Sequence, residues 1–186
     1  PTDDGRLTRA GLVVRADDIG ALSPEGWQSL RDYGVRTAVD LRFPQERSPR
    51  PDYATGIGVH EIPLFGRIDC AASARIDAVV LAAEDAAAAL RLLYADALET
   101  HAARIAEATG AVAGALEQGA VIVHCAIGKD RTGIVSALLL RLAGVSADEV
   151  ADDYALSHEN VAPLVAPWIA EAVDPAQEIF RARMCA

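Results

Sequence analysis

Short apolar runs recur along the chain, separated by stretches that contain Gly and Pro. Four of these runs are short and rich in Val and Ile, which favours β-strands. They are GLVVRA at 11–16, VRTAVDL at 35–41, GVHEIPL at 58–64 and VIVH at 121–124. Strand alternation in VRTAVDL would put Val35, Thr37, Val39 and Leu41 on one face.

The longer stretches favour helices. Ser23 followed by Pro24 is typical of a helix N-terminus, and Gly34 is expected to end that helix after Tyr33. The Ala-rich segment 66–100 also has helical composition. Strands alternating with helices predict an α/β class with a central, mostly parallel sheet flanked by helices.

The second half of the chain is predicted to be mostly helical. The segment 132–143 is apolar nearly all round and should be buried. Ser146 and Glu149 have the spacing of a capping box for the next helix. The other predictions are a helix over about 90–118 with Ile105, Val112 and Leu116 on a common face, and two short helices near the end, broken at Pro163, Pro167 and Pro175.

Composition favours a single globular domain that spans residues 1–186. Within it, the segment 66–100 either packs as an ordinary helix or forms a helical insertion that covers a site. The chain has 186 residues, is 52% hydrophobic and carries a formal net charge of −10. Because there is no basic stripe, we expect no nucleic-acid partner. No run reaches transmembrane length and no N-terminal signal pattern is present, so we expect no stable membrane insertion.

The cysteines give a prediction of compartment. Their number is odd and their spacing wide, at Cys70, Cys125 and Cys185, which argues against a disulfide framework and a zinc site. We therefore expect a reducing, cytoplasmic location. Cys70 and Cys185 are expected to be ordinary thiols, and no metal is expected at His60, His101 or His158.

The stretch HCAIGKDRTG, at 124–133, lies between a predicted strand and a predicted buried helix. Loop amides and a helix N-terminus at such a junction converge on one point and favour an anion. Arg131 and Lys129 would add positive charge, with Lys129 at the rim, and would favour the thiolate of Cys125. Gly128 permits a positive φ, and Thr132 could donate its hydroxyl to the thiolate. The predicted phosphate-binding residues are Ala126, Ile127, Gly128, Lys129, Asp130, Arg131 and Thr132.

This stretch resembles the HC-x5-R-[ST] signature of the cysteine-dependent protein tyrosine phosphatase superfamily. GKDRTG looks like the bacterial group whose loop carries Lys-Asp before the Arg, a group that includes a secreted mycobacterial phosphatase. RTAVDLRFPQER is similar to that group's VDLR-x-x-x-E-R segment, and GVSADEVADDYALS to its segment after the loop helix. The resemblance covers most of the chain and is weak over 66–100.

The resemblance implies a phosphatase-like fold and a two-step reaction without a cofactor. Cys125 would attack phosphorus, Arg131 and the loop amides would stabilise the oxygens, and water would hydrolyse the thiophosphate. Asp130 is the first candidate for the acid that protonates the leaving group, and Asp40 is the second. One argument speaks against Asp130 as the acid, because the positive charges of Lys129 and Arg131 should favour its charged form. Asp130 could instead orient Arg131 or the attacking water.

Other polar residues near the motif have more ordinary interpretations. His124 is expected to be packed and hydrogen-bonded, and the resemblance implies that it tunes Cys125. Arg42, Glu46 and Arg47 are predicted to form a solvated turn, although Arg42 could reach the site.

We predict a phosphoric monoester hydrolase of the tyrosine or dual-specificity class. Its expected substrates are phosphoproteins, small phosphomonoesters or phosphoinositides. Two alternatives stay open. One is a rhodanese-like sulfurtransferase, whose Cys loop usually lacks the Arg-[ST]-G continuation. The other is a non-catalytic module that binds phosphorylated ligands.

Overall fold

The structure is a computed structural model that describes residues 1–67 and 70–185, apart from the side chains at 70–73 and 183–185. The side chains of Cys70 and Cys185, predicted to be ordinary thiols, lie outside the described residues. The described strands form one four-stranded parallel sheet in the order β1-β4-β2-β3. They are β1 (Val13–Ala16), β2 (Val35–Asp40), β3 (Gly58–Glu61) and β4 (Ala120–His124).

Helices cover the sheet, which confirms the predicted α/β class. They are α1 (Pro24–Tyr33), α2 (Cys70–Ala82), α3 (Ala86–Thr100), α4 (Ala102–Ala115), α5 (Asp130–Leu142), α6 (Ala147–Ala170) and α7 (Pro175–Cys185). The predicted caps of α1 are present. The Ser23 side chain accepts a hydrogen bond from the Gly26 amide, and Gly34 ends the helix at φ +100°.

The central strands β2 and β4 are largely buried because helices pack on both faces of the sheet, whereas the edge strand β3 is exposed. One core cluster contains Val39 and Leu41, and the other contains Val35 and Ala38. The predicted common face for Val35, Val39 and Leu41 is therefore wrong. The pairing of β2 with β4 shifts register between Val35 and Thr37, and this irregularity turns Val35 to the opposite side.

Several helix predictions need correction. The predicted helix over about 90–118 is divided at His101, where α3 ends and α4 begins. Ile105 and Val112 do share the buried face of α4. The helix α5 is fully buried only over its first turns; Leu138 and Leu139 are partly buried against the core, and Leu142 near its end is 77% exposed.

The prolines do not divide the C-terminal region where the sequence suggested. The helix α6 continues through Pro163 and Pro167 to Ala170, and only Pro175 begins a new helix. Each proline removes one backbone donor. Val161 and Val165 are nevertheless buried on one face of α6, so packing holds this part of the helix in place. No described helix is long and apolar enough to cross a membrane.

Candidate active site

The loop between β4 and α5 has the predicted strand–loop–helix form. Cys125 follows β4 directly and is 1% exposed, and α5 begins at Asp130. Gly128 has φ +70°, and a Cβ on it would lie 2.8 Å from the Ala16 carbonyl oxygen at the end of β1. Both the backbone conformation and the close approach therefore require glycine here.

Arg131 is fixed by Glu46, which lies 85 residues earlier in the chain. The guanidinium donates two hydrogen bonds to the Glu46 carboxylate, at 2.5 and 2.8 Å. It also lies 4.9 Å from the centre of the Phe43 ring. Burial acts to lower the pKa of Arg131, but the bonds to Glu46 and the attraction of Cys125 outweigh it and raise that pKa. Arg131 is therefore a permanent, oriented cation beside the thiol.

The segment 42–47 is not the solvated turn that the sequence predicted. Arg42 is 6% exposed and bonds Asp40 through Nε at 3.0 Å and through its second terminal nitrogen at 2.9 Å. Arg47 reaches Glu61 at 2.8 Å. Each charged side chain of the segment, Arg42, Glu46 and Arg47, is therefore held in an ion pair. The sequence did contain a signal for these ion pairs, because the charged positions of the VDLR-x-x-x-E-R pattern are the positions whose side chains form them.

Asp40 is held as a carboxylate. Burial acts to raise its pKa, but the hydrogen bonds from the Arg42 side chain and amide outweigh burial, and the pKa lies below its usual value. His124 is 1% exposed, with Nε2 3.9 Å from Asp40 Oδ1, too far for a hydrogen bond. Its Nδ1 meets no partner at a normal hydrogen-bond geometry among the described residues, but an interaction with the Cys125 backbone acts to raise its pKa, so the expected hydrogen bond stays a prediction. Burial lowers the pKa of His124.

Asp130 lies in the first turn of α5 and contacts two tyrosines from distant elements. The Tyr94 hydroxyl, from α3, donates to Asp130 Oδ1, and the hydroxyl oxygens of Tyr94 and Tyr154 are 2.5 Å apart. Tyr154 belongs to α6, and its ring meets the Tyr94 ring edge to face. Sequence reasoning assigned no role to either tyrosine, although Tyr154 lies in GVSADEVADDYALS, the segment after the loop helix that carries part of the resemblance. Tyr94 lies in 66–100, where the resemblance is weak.

Two loop residues differ in detail from expectation. Lys129 is fully buried rather than at the rim. The Thr132 hydroxyl is also buried, and within the described part of the chain it makes no hydrogen bond, so the expected bond to Cys125 is not formed here.

Two cavities flank the loop. One of about 320 Å³ adjoins Ile127 and Gly128, and one of about 300 Å³ adjoins Arg42 and His124. Neither cavity is lined by Cys125 or Arg131. Among the described residues, no group of three or more His, Cys, Asp or Glu is arranged to hold a metal ion.

A cysteine at the carboxyl end of a central strand, followed by an oriented arginine at a helix N-terminus, defines the class of cysteine-dependent phosphatases. The chain belongs to the tyrosine phosphatase family, which it matches over residues 1–185.

Curated relatives agree with this assignment. The chain is 31% identical over 150 residues to a tyrosine-protein phosphatase of Nostoc commune, covering 80% of this chain and 49% of the relative. It is 28% identical over 193 residues to the triple specificity protein phosphatase PtpB of Mycobacterium tuberculosis, covering 87% of this chain and 66% of that protein. The chain therefore spans from about half to about two thirds of the length of these relatives.

Proposed function

We propose that this chain is a phosphatase that hydrolyses phosphomonoesters through a cysteinyl-phosphate intermediate. The observation that carries the proposal is the pairing of Arg131 with Glu46 beside Cys125. This pair presets the guanidinium before substrate arrives, and preorganised charge is the main source of transition-state stabilisation in such sites.

In the first step, the Cys125 sulfur attacks phosphorus and forms an S–P bond while the P–O bond to the leaving group breaks. Asp130 gives its proton to the leaving oxygen. In the second step, water attacks phosphorus, Asp130 takes a proton from it, and the S–P bond breaks to release phosphate and the thiolate. Arg131 and the amides of 126–131 bind the equatorial oxygens in both steps.

We choose Asp130 over Asp40 as the acid. Asp40 is 3% exposed and Arg42 donates to both of its carboxylate oxygens, so neither oxygen is available to protonate a leaving group. Asp130 is in the first turn of α5, adjacent to Arg131, and its Oδ1 is already oriented by a hydrogen bond from Tyr94.

We propose phosphoproteins, phosphotyrosine foremost, as the substrates, with phosphoserine, phosphothreonine and phosphoinositides as further classes. The relatives' names, a tyrosine-protein phosphatase and a triple specificity protein phosphatase, support phosphotyrosine and a specificity wider than one kind of phosphoester. The net charge of −10 disfavours docking on an anionic membrane, which ranks phosphoproteins above phosphoinositides. The odd and widely spaced cysteines support action in the cytoplasm.

The test is turnover of p-nitrophenyl phosphate in EDTA by the wild type and by Cys125→Ser. We expect metal-independent turnover in the wild type and none in Cys125→Ser. Turnover of thiosulfate in place of the phosphate ester would favour the sulfurtransferase. Phosphate binding without any turnover would favour a binding module.

Iodoacetate gives a second measurement at the same site. We expect phosphate to protect Cys125 from alkylation, as followed by peptide mass spectrometry, with the peptides of Cys70 and Cys185 as internal references. Equal alkylation of Cys125 with and without phosphate would contradict binding at the loop.

A further inference from the structure

A chain of three polar groups joins the catalytic loop to two helices that lie far from it in sequence. Tyr94 lies 36 residues before Asp130, and Tyr154 lies 24 residues after it. Their hydroxyls and the Asp130 carboxylate form a continuous hydrogen-bonded line, in which Tyr94 is the middle member.

The direction of these bonds follows from counting protons. Each phenol has one hydrogen to donate. Tyr94 donates its hydrogen to Asp130 Oδ1, so its own oxygen must accept from Tyr154. Burial and the Asp130 charge raise the pKa of Tyr94 far above its usual value, and burial raises that of Tyr154 to about 12. Both phenols stay protonated at neutral pH and act as fixed donors.

We propose that Tyr94 is a positioning residue for the leaving-group acid. Its bond occupies Asp130 Oδ1 and fixes the rotation of the carboxyl group, so the proton for the leaving oxygen is carried on Oδ2. Tyr154 holds the Tyr94 hydroxyl in line. This inference rests on the proposed role of Asp130, and it gives the segment 66–100 a function, because α3 brings Tyr94 to the loop.

The packing around Gly133 supports the same arrangement. A Cβ on Gly133 would lie 2.7 Å from the Tyr154 ring, so the ring reaches its place only because position 133 has no side chain. The last glycine of the motif and the two tyrosines thus form one unit around Asp130.

The test compares kcat/KM for two aryl esters. Phenyl phosphate has a poor leaving group, which needs the acid, whereas p-nitrophenolate leaves readily without it. The variants are Tyr94→Phe, which deletes one hydroxyl, Tyr154→Phe, Asp130→Asn, and Tyr33→Phe as a matched control on an exposed tyrosine of α1.

We expect Tyr94→Phe to lower kcat/KM for phenyl phosphate about tenfold, the upper end of the range for the loss of one hydrogen bond, and to leave p-nitrophenyl phosphate nearly unchanged. Tyr154→Phe should also lower kcat/KM more for phenyl phosphate than for p-nitrophenyl phosphate, but to a smaller extent. If Tyr94→Phe does not fold, Tyr154→Phe serves as the test variant in its place. In the Asp130→Asn background, Tyr94→Phe should add no further selective loss.

The remaining outcomes separate the two proposals. Equal losses on both esters, or no loss on either, would overturn the positioning role while leaving the phosphatase function in place. If Asp130→Asn does not lower kcat/KM more for phenyl phosphate than for p-nitrophenyl phosphate, Asp130 is not the acid, and the proposed role of Tyr94 is wrong as well. An inactive wild type would overturn both proposals together.

Discussion

Arg131 illustrates how single side chains are prepared for chemistry in this protein. Its charge is set by residue type, but its orientation comes from Glu46, which uses both oxygens on the guanidinium and also accepts a bond from the Phe43 amide at 2.7 Å. A bidentate pair restricts rotation of the guanidinium more than a single contact would. If Arg131 binds phosphate as proposed, Glu46 is a positioning residue that orients the guanidinium without itself touching the phosphate.

Replacing Glu46 by Gln should lower both activity and stability. We expect kcat/KM to fall at least about tenfold, because a misaligned guanidinium stabilises the transition state less well. At pH 7 the free energy of unfolding should fall by about 2 kcal/mol, the range for a hydrogen bond to a charged partner. Urea titration and steady-state kinetics measure the two effects. The matched control is Glu61→Gln, which removes the exposed partner of Arg47 and should cost under about 1 kcal/mol.

The stability difference should also depend on pH. Burial acts to raise the pKa of Glu46, but the bonds from Arg131 and Phe43 outweigh it, so the folded pKa lies below the reference value of 4.5. A lowered pKa contributes stability that is present above pH 4.5 and is lost as the pH falls through the folded value. The gap between wild type and Glu46→Gln should therefore narrow below pH 4.5, and a gap that widens on acidification would contradict the ion pair.

Among the elements, the junction of β1, β4 and α5 is the most demanding. Gly128 turns the loop back against the end of β1, at a backbone conformation and a distance that no larger residue tolerates. The helix α4 offers the opposite case, since Gly110 has no atom within 4 Å of the position of a Cβ. The same residue type is thus structural at one site and replaceable at the other.

Gly128→Ala should destabilise the protein and abolish phosphate binding, because the new methyl group meets the Ala16 carbonyl and the backbone must leave φ +70°. Gly110→Ala should raise the free energy of unfolding by up to about 1 kcal/mol, because position 110 is exposed and alanine favours the interior of a helix more than glycine does. Calorimetry with and without phosphate measures both variants. A Gly128→Ala protein that keeps wild-type phosphate binding would contradict the loop geometry.

The contact between α5 and α6 allows a double-mutant cycle. Gly133→Ala should destabilise the wild type, because the methyl group meets the Tyr154 ring, and should cost much less in a Tyr154→Ala background. Additive losses in unfolding free energy would show that the two positions do not interact.

For the chain as a whole, the site is assembled from four separate regions. The loop and α5 supply Cys125, Asp130 and Arg131, the segment after β2 supplies Glu46, and α3 and α6 supply the two tyrosines. An anion that binds the loop therefore stabilises contacts among all four regions. Binding to the folded state alone raises stability by about 2.7 kcal/mol at 100 times Kd.

We expect inorganic phosphate to raise the melting temperature and to slow hydrogen exchange over 42–47 and 90–97 as well as over the loop. The exposed ion pair of Arg6 and Asp4 gives an internal control region, whose exchange should not change. Arg131→Lys should lose most of both effects, because lysine cannot bridge Glu46 and phosphate with a planar fork. Slower exchange limited to the loop would contradict this coupling.

The sequence by itself determined the local parts of this protein. The strands, the caps of α1 and the strand–loop–helix around Cys125 follow from residue patterns within one or two turns, where steric and hydrogen-bonding preferences act directly. The choice of Cys125 and Arg131 as site residues came from their residue types and spacing at a strand–helix junction and from the resemblance to the HC-x5-R-[ST] signature, and it remains a prediction for the activity assays.

Only the tertiary structure decided which polar side chains come into contact. Glu46 and Arg131 are 85 residues apart, and Tyr94 and Tyr154 are 60 apart. No local preference encodes such pairs, because they depend on which elements pack together and on their register. The same reason explains two wrong predictions. At Val35, an irregularity in the pairing of β2 with β4 turns the side chain to the opposite face of the sheet. In α6, the packing of Val161 and Val165 holds together a helix that its prolines were expected to end.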